Sequence, residues 1–107
     1  MERQWFVYLL TNYTNAVLYT GITNNLQRRV LEHQKGLIKH SFTNKYHLYK
    51  LIWFSVFTSP EDAIAVEKKI KGWKREKKLR LIKDKNPTFI DLYAAAFGDL
   101  DSSLRSE

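Results

Sequence analysis

Two short apolar runs lie near the N-terminus and are separated by a turn-forming segment. Trp5–Leu10 is rich in aromatic and β-branched residues, residues 11–15 read Thr-Asn-Tyr-Thr-Asn, and Val17–Thr20 is largely apolar again. Aromatic and β-branched residues favour strands, whereas Asn and Thr favour turns. We therefore predict an antiparallel hairpin whose second strand ends at Gly21, in a chain of 107 residues that has the size of one domain.

The remaining sequence predicts one more strand and four helices. Polar caps, a first-turn proline and acidic residues favour helix starts at Asn24-Asn25 and at Ser59-Pro60-Glu61-Asp62. The predicted segments are a helix to about Lys35 that Gly36 ends, a loop over 37–48, a strand Tyr49–Thr58, a helix to about Lys71 with a break at Gly72, a basic helix to about Lys83, a turn at Asn86-Pro87 and a short helix Thr88–Phe97. This β-β-α-β-α-α-α order predicts an α+β fold, with a small three-stranded antiparallel sheet flanked by helices, over residues 1–97. Residues 98–107 form a polar C-terminal tail that we expect to fray.

Composition excludes several classes of protein. The chain has no cysteine, which excludes a disulfide scaffold, a thiol nucleophile and a thiolate metal site. The longest apolar runs are far too short to cross a bilayer, and Met1–Gln4 lacks the basic and apolar layout of a signal peptide. We expect a cytoplasmic protein in a reducing environment, with no membrane partner.

The excess positive charge lies in one segment. The whole chain has a net charge of +7, and residues 68–85 alone carry +8. The basic residues of this block are Lys68, Lys69, Lys71, Lys74, Arg75, Lys77, Lys78, Arg80, Lys83 and Lys85. A basic block interleaved with apolar residues is typical of a surface that binds a polyphosphate chain, and a solvated helix face has the same composition. An acidic membrane is a poorer match, because the block lacks a large apolar face.

Glu67 occupies an unusual place on its predicted helix. At helical spacing, Ala63, Val66, Ile70 and Trp73 form one apolar arc, and Glu67 falls inside it. A buried carboxylate is costly without a partner. We expect either an ion pair with a lysine or arginine at the edge of the core, or a metal ion that also faces phosphate.

Two further pairs carry groups that can act on phosphate. Arg29 and His33 are four residues apart, so they share one face of the first helix. Arginine can hold a phosphate through two parallel hydrogen bonds, and histidine can move a proton. Tyr8 and Tyr19 lie on neighbouring strands of the predicted hairpin. The alternatives are an ordinary exposed helix face for the first pair and cross-strand packing for the second.

The order and spacing of these residues resemble the GIY-YIG nuclease family. The likeness is to its small single-domain branch, which is similar to the N-terminal domain of excision-repair nucleases. The matching segments are Phe6-Val7-Tyr8 at the first motif, Tyr19-Thr20-Gly21 at the second, Arg29 eight residues after Gly21, His33 one turn later, residues 63–73 around Glu67, residues 42–46 and residues 86–92. The resemblance covers about residues 4–93. Two positions differ within the motifs: Phe6 replaces a glycine of the first motif, and Thr20 replaces the central residue of the second. Neither position supplies a chemical group to the mechanism. His40-Ser41 stands before Phe42 where a glycine is more usual, and this difference affects only the local loop shape.

The resemblance implies hydrolysis of a phosphodiester bond with one divalent metal ion. Glu67 would bind Mg²⁺ or Mn²⁺, which take carboxylate oxygen ligands and keep several waters. Tyr8 would orient or deprotonate the attacking water, with Tyr19 beside it. Because a free tyrosine has a pKa of about 10, deprotonation requires nearby cations that favour the phenolate.

The resemblance also implies supporting roles for other residues. Arg29 would stabilise negative charge on the phosphate oxygens. His33 would hydrogen-bond to phosphate or to a tyrosine, and Asn86 would hold the site in place. Sequence-independent contacts with the nucleic-acid backbone are expected from Lys45, Lys71 and Lys74.

We therefore expect a metal-dependent endonuclease that hydrolyses DNA, structure-selective in repair or recombination. The alternative is a nucleic-acid-binding module of the same fold that does not cleave, or that cleaves only with a partner. The family's better-defined nucleases carry a second domain that chooses the target, and a separate targeting protein would replace it here. A protein-interaction domain would leave the basic block unexplained. RNA as the substrate, the substrate's shape and the oligomeric state stay open at this point.

Overall fold

The computed structural model describes residues 3–36 and 42–97, and these form the predicted α+β fold. The elements in chain order are β1 (Trp5–Thr11), β2 (Leu18–Thr23), α1 (Leu26–Gln34), α2 (Phe42–Lys45), β3 (Lys50–Phe57), α3 (Pro60–Lys71), α4 (Arg75–Lys85) and α5 (residues 92–97). The expected tail over 98–107 lies outside the described residues, as does part of the predicted loop.

The three strands form one antiparallel sheet in the order β2-β1-β3, so β1 lies in the middle. Side chains of a strand alternate between the two faces of its sheet. Val7 and Leu9 therefore lie on one face, in a core with buried residues of α3 and α4. Tyr8 and Leu10 lie on the opposite face, in a second core with Leu26 and Val30 of α1. This alternation places Tyr8 under α1.

Local sequence signals account for the ends of the helices. The Asn25 side chain caps α1 by accepting a hydrogen bond from the backbone N–H of Arg28. The Ser59 side chain caps α3 in the same way, through the N–H of Asp62, and Pro60 occupies the first turn. Gly36 follows the end of α1 with a φ of 66°, in the left-handed region that glycine adopts most easily. These predicted starts and stops are confirmed.

The predicted elements are wrong at three places, namely the end of one strand, one loop and the start of one helix. β2 does not end at Gly21 but continues to Thr23, and Gly21 pairs with Tyr8 across the sheet. The predicted loop over 37–48 contains the four-residue helix α2. The last helix starts at residue 92 rather than at Thr88, because Asn86 accepts a hydrogen bond from the backbone N–H of Ile90 and holds the chain in a turn. No helix of the described residues is long and apolar enough to cross a membrane.

Candidate active site at the Tyr8–His33 hydrogen bond

The position of Tyr8 depends on the glycine opposite it. Tyr8 is buried on β1, and its ring lies against the backbone of Gly21 on β2. A Cβ atom at position 21 would lie only 2.5 Å from the Tyr8 hydroxyl oxygen, so no larger residue fits without moving the ring. The ring therefore crosses the β2 strand at this glycine, and its hydroxyl group reaches α1.

Three rings meet at this point and form what we call the ring cluster, consisting of Tyr8, Tyr19 and His33. The Tyr8 hydroxyl oxygen lies 3.2 Å from Nε2 of His33 in a buried hydrogen bond. The ring centroids are 6.3 Å apart for Tyr8 and Tyr19, 6.1 Å for Tyr8 and His33, and 5.8 Å for Tyr19 and His33. The packing of α1 on the sheet thus joins residues from β1, β2 and α1. Of the two partners expected for His33, the structure contains the tyrosine.

Burial controls the protonation of Tyr8 and His33 in the ring cluster. Burial raises the pKa of the Tyr8 phenol well above its ordinary value, and the neighbouring Tyr19 adds to this effect, whereas Arg29 opposes it. Burial, together with the positive charge of Arg29, lowers the pKa of His33 to about 4. Both groups are consequently neutral near pH 7. The phenolate expected from nearby cations is not the state of the free protein, because burial outweighs the charge of Arg29.

Arg29 lies one turn before His33 on α1 and is partly exposed. Its guanidinium Nη1 is 3.6 Å from Oε1 of Glu32, in an ion pair whose two side chains both remain in contact with solvent. Such a pair is weak and can open, since solvent screens it. Arg29 is thus a cation close to the ring cluster that can turn to an incoming anion. Glu32 is not among the residues predicted for the site, although its spacing of three residues from Arg29 is a signal for an ion pair.

Glu67 is buried in α3 with 8% of its surface exposed. Its Oε2 atom lies 2.6 Å from Nζ of Lys71, one turn later on the same helix. This is the ion pair with a lysine at the edge of the core that the apolar pattern allowed as one alternative. The hydrogen bond to the Glu67 carboxylate raises the pKa of Lys71, so the lysine stays charged at neutral pH.

The Glu67–Lys71 pair lies beside the ring cluster. α3 packs against both β1 and β2. The charge of Glu67 contributes to the raised pKa of Tyr8, and the phenol of Tyr19 contributes to the raised pKa of Lys71. The structure thus brings the carboxylate and the two tyrosines into one electrostatic neighbourhood, although they lie on different elements.

The donor atoms near the ring cluster fit only some metals. Among residues 3–36 and 42–97, no three His, Cys, Asp or Glu side chains converge on a common point. This excludes, for those residues, a site built from three or four protein ligands of the kind that zinc prefers. A single carboxylate fits Mg²⁺ or Mn²⁺, which bind through one or two carboxylates together with waters and substrate phosphate. Glu67 would hold such an ion, and its carboxylate is paired with Lys71 through Oε2.

Asn86 holds the backbone and makes no contact with the ring cluster through its hydrogen bonds. Its side-chain amide donates to the carbonyl oxygen of Ile52 at 3.0 Å and to that of Ile90 at 2.9 Å. Its side-chain oxygen accepts from the N–H of Ile90 at 3.1 Å. The buried amide thus ties the end of α4 to β3. The role of Asn86 in holding the site, which the resemblance implied, stays a prediction.

The three lysines expected to contact nucleic acid are exposed but lie in different settings. Lys45 lies at the end of α2, with its Nζ atom 5.4 Å from the centroid of the Tyr46 ring. Lys71 is paired with Glu67, and Lys74 is the residue that precedes α4, where its side chain makes no capping hydrogen bond. Lys71 and Lys74 flank the break between α3 and α4, so they are near each other in the chain and separate in sequence from Lys45.

Comparisons with known proteins show the family and the fold of the chain. A family model described as the GIY-YIG catalytic domain matches residues 4–80. The UPF0213 protein of Vibrio parahaemolyticus is 36% identical over 91 residues, which cover 85% of this chain and 84% of that protein. The UPF0213 protein of Pectobacterium carotovorum is 34% identical over 85 residues, which cover 79% and 84%. The solution NMR structure of a UPF0213 protein from Bacillus halodurans has a TM-score of 0.54 at 26% identity, with 85% of this chain and 95% of that chain covered. The chain therefore belongs to the GIY-YIG family, among its small single-domain UPF0213 proteins.

Proposed function

We propose that this protein is a metal-dependent endonuclease that hydrolyses phosphodiester bonds in DNA. The observation that carries the proposal is the buried hydrogen bond between Tyr8 and His33, with Arg29 one helical turn away and the Glu67 carboxylate close by. This combination offers a proton acceptor, a cation for phosphate and an oxygen ligand for a metal ion, which are the groups that phosphodiester hydrolysis requires.

The chain's own residues hold the phosphate from two sides. Arg29 leaves its weak pair with Glu32 and donates two parallel hydrogen bonds to non-bridging phosphate oxygens. Glu67 supplies the carboxylate for Mg²⁺ or Mn²⁺, which when bound neutralises charge on the phosphate and on the leaving 3′ oxygen. Lys71 then moves from the Glu67 carboxylate to another anion, and it is free to do so because about half of its side chain is exposed to solvent.

The Tyr8–His33 hydrogen bond provides a route for the proton of the attacking water. The Tyr8 hydroxyl oxygen orients the water and accepts its proton, while the proton of the phenol passes to Nε2 of His33. Burial opposes an imidazolium in the free protein, but the negative charge of a bound phosphate favours it. A bound phosphate therefore favours transfer of the proton to His33.

Exposed lysines and arginines on α3 and α4 supply the affinity for nucleic acid. Residues 68–85 carry a net charge of +8, and most of their basic side chains are exposed. Contacts of this kind are independent of base sequence and weaken steeply with salt. A substrate chosen by shape, such as a branch or a flap in repair or recombination, is consistent with such binding.

We place the protein in the cytoplasm with its substrate, and a targeting protein would add sequence or site selection.

The experiment is a cleavage assay on labelled duplex, flap, junction and single-stranded DNA and RNA. Each substrate is incubated with Mg²⁺, with Mn²⁺ or with EDTA. Wild type is compared with Glu67→Gln, which removes the carboxylate charge, and with Glu61→Gln on the exposed first turn of the same helix as a matched control. We expect metal-dependent cutting by wild type and Glu61→Gln, and a loss of about 100-fold or more in Glu67→Gln, the size expected for loss of a charge-stabilising group.

One observation favours a second function, a nucleic-acid-binding module that does not cleave by itself. Lys71 already neutralises the carboxylate that a metal ion would need. If this pair persists with nucleic acid bound, the site holds a phosphate without hydrolysing it. Salt-sensitive binding by all three proteins, with no cutting of any substrate in either metal, would establish this function in place of the nuclease.

A further inference from the structure

A groove of about 260 Å³ lies at one end of the sheet, apart from the ring cluster. The turn between β1 and β2 forms one side, and the segment between α2 and β3 forms the other. The lining residues are Asn12, Tyr13, Thr14, Tyr46, His47, Tyr49 and Lys50. Four of these seven carry aromatic rings, and none is acidic.

The aromatic rings of this groove face solvent to an unusual degree. Tyr13 is 94% exposed at the tip of the turn, and Tyr46 is 39% exposed. An aromatic ring in water contributes nothing to the folded core, so the fold does not explain Tyr13. Flat aromatic surfaces are the platforms on which unpaired bases of single-stranded nucleic acid stack.

The far wall of the groove is held in place and not merely exposed. Nδ1 of His47 lies 2.9 Å from the Tyr49 hydroxyl oxygen, and the two rings meet edge to face. His47 has a φ of 56°, a left-handed conformation that is uncommon outside glycine. Strained backbone of this kind is retained where the surrounding structure requires it, and it concentrates at ligand sites.

The charge at the groove is positive. Nζ of Lys50 donates to the side-chain oxygen of Asn15 at 2.8 Å, which holds the ammonium group at the groove without neutralising it. Arg75, from the basic block, donates to the carbonyl oxygen of Asn15 at 2.9 Å. Lys45 adds a third positive charge beside the Tyr46 ring. The rings therefore lie among cations that can contact the flanking phosphates.

Two elements connect the groove to the ring cluster. Tyr8 and Tyr13 are five residues apart, so their Cα atoms are at most about 17 Å from each other. On α1, His33 bonds to Tyr8, and the next residue, Gln34, donates to the carbonyl oxygen of Tyr49 at the groove. One nucleic-acid strand can therefore reach both places at once.

We propose that this groove binds an unpaired nucleobase of a strand whose phosphate lies at the ring cluster, with the base stacked on Tyr13. The proposal rests on the proposed function for the phosphate, and it extends that function to the form of the substrate. A strand with at least one unpaired base near the phosphate binds more tightly than a continuous duplex, because only an unpaired base can enter the groove.

The experiment places 2-aminopurine at successive positions of a single-stranded oligonucleotide, and measures its fluorescence and the affinity of the full chain. EDTA is present, so that cleavage cannot alter the probe. The same sequence paired with its complement is measured in parallel. The variants are Tyr13→Ala, Tyr13→Trp, which keeps a stacking surface, and Ile90→Ala, which removes an exposed apolar side chain outside the groove.

We expect wild type to quench the probe at one or two positions of the single strand. Tyr13→Ala is expected to lose this quenching and to bind the single strand roughly 5- to 150-fold more weakly, as loss of one stacking contact implies. Tyr13→Trp and Ile90→Ala are expected to behave as wild type, and the duplex is expected to bind all four proteins alike. Full quenching by Tyr13→Ala, or an equal loss of affinity for the duplex, would overturn the proposal.

The result is separate from that of the cleavage assay. Quenching that depends on Tyr13, without any metal-dependent cutting, would support base binding in the groove and contradict the proposed nuclease. Cutting that depends on Glu67, without quenching at any position, retains the nuclease and leaves the groove to a ligand other than a base.

Discussion

The ring of Tyr8 lies on the backbone of Gly21, its cross-strand partner, and this contact aims the Tyr8 hydroxyl group at His33. The two residues are directly opposed in the β1–β2 register, and a side chain at position 21 would collide with the phenol. Glycine is needed here for the space it leaves, since Gly21 is not among the residues with a positive φ. The position of the Tyr8 hydroxyl oxygen is thus determined by the absence of a side chain on the next strand.

Replacing Gly21 with alanine is expected to displace the Tyr8 ring. We expect a loss of about 1–3 kcal/mol in the free energy of unfolding, as in other overpacked cores, and a fall in cleavage rate of about 100-fold from the misplaced hydroxyl group. Urea denaturation and the cleavage assay measure the two effects. Gly72→Ala is the matched control, because a Cβ there meets only backbone oxygens at 3.6 Å and 3.7 Å. Wild-type activity in Gly21→Ala would show that the ring need not occupy this place.

Removing Lys71 is expected to leave the buried Glu67 carboxylate without its cation, so that the stability of the protein depends on added metal. In EDTA, the free energy of unfolding of Lys71→Met should be lower than that of wild type by about 1–2 kcal/mol. This value lies between those for exposed and buried ion pairs, because Glu67 is buried while 55% of the Lys71 side chain is exposed. Mn²⁺ or Mg²⁺ should restore the stability by binding the freed carboxylate. Thermal unfolding with and without metal tests this, with Lys69→Met on the exposed face of α3 as the control. An identical metal response in both variants would argue against an ion at Glu67.

The buried imidazole of His33 makes stability depend on pH. Its pKa is lowered to about 4 in the folded chain, from about 6.5 when unfolded. Above about pH 6.5 both states are neutral and no effect is expected. As the pH falls from 6.5 to 4, the unfolded state alone takes up the proton, so the free energy of unfolding decreases by a few kcal/mol.

The non-titrating variant His33→Gln should show a flatter dependence over this range. His47→Asn is the control, since His47 is exposed and Asn tolerates its positive φ. Urea denaturation at pH 7, 5.5 and 4.5 provides the measurement. A profile for His33→Gln as steep as that of wild type would contradict a neutral, buried His33.

Asn86 is expected to affect stability far more than chemistry. Asn86→Ala leaves two carbonyl oxygens and one N–H without their partner, which should lower the free energy of unfolding by about 2–4 kcal/mol. The cleavage rate of the molecules that remain folded should stay within a few-fold of wild type. Denaturation curves and rates measured well below the melting temperature separate the two effects, and Asn24→Ala at an exposed position is the control. A rate loss of 100-fold with unchanged stability would instead assign Asn86 to the chemistry.

Much of the fold follows from local patterns in the sequence. Because side chains of a strand alternate between its two faces, the sequence of β1 places Tyr8 and Val7 on opposite faces of the sheet. Because a helix repeats every 3.6 residues, the spacing along α1 places Arg29 and His33 on one face. The caps at Asn25 and Ser59 act within three residues of themselves. Such signals are complete in a short stretch of chain, so the order and type of the main elements could be read without tertiary structure.

The geometry and protonation of the candidate site depend on contacts between distant parts of the chain. His33 and Tyr8 are 25 residues apart, and only the packing of α1 on the sheet selects the phenol as the partner of the imidazole. The apolar arc on α3 indicated that Glu67 needs a cation, but packing determines that Lys71 supplies it. Burial likewise keeps Tyr8 and His33 neutral, and burial is a property of the assembled cores. The sequence determined which groups are available, and the tertiary structure decided which of them meet and in what protonation state, because desolvation and long-range contact arise only when the elements pack.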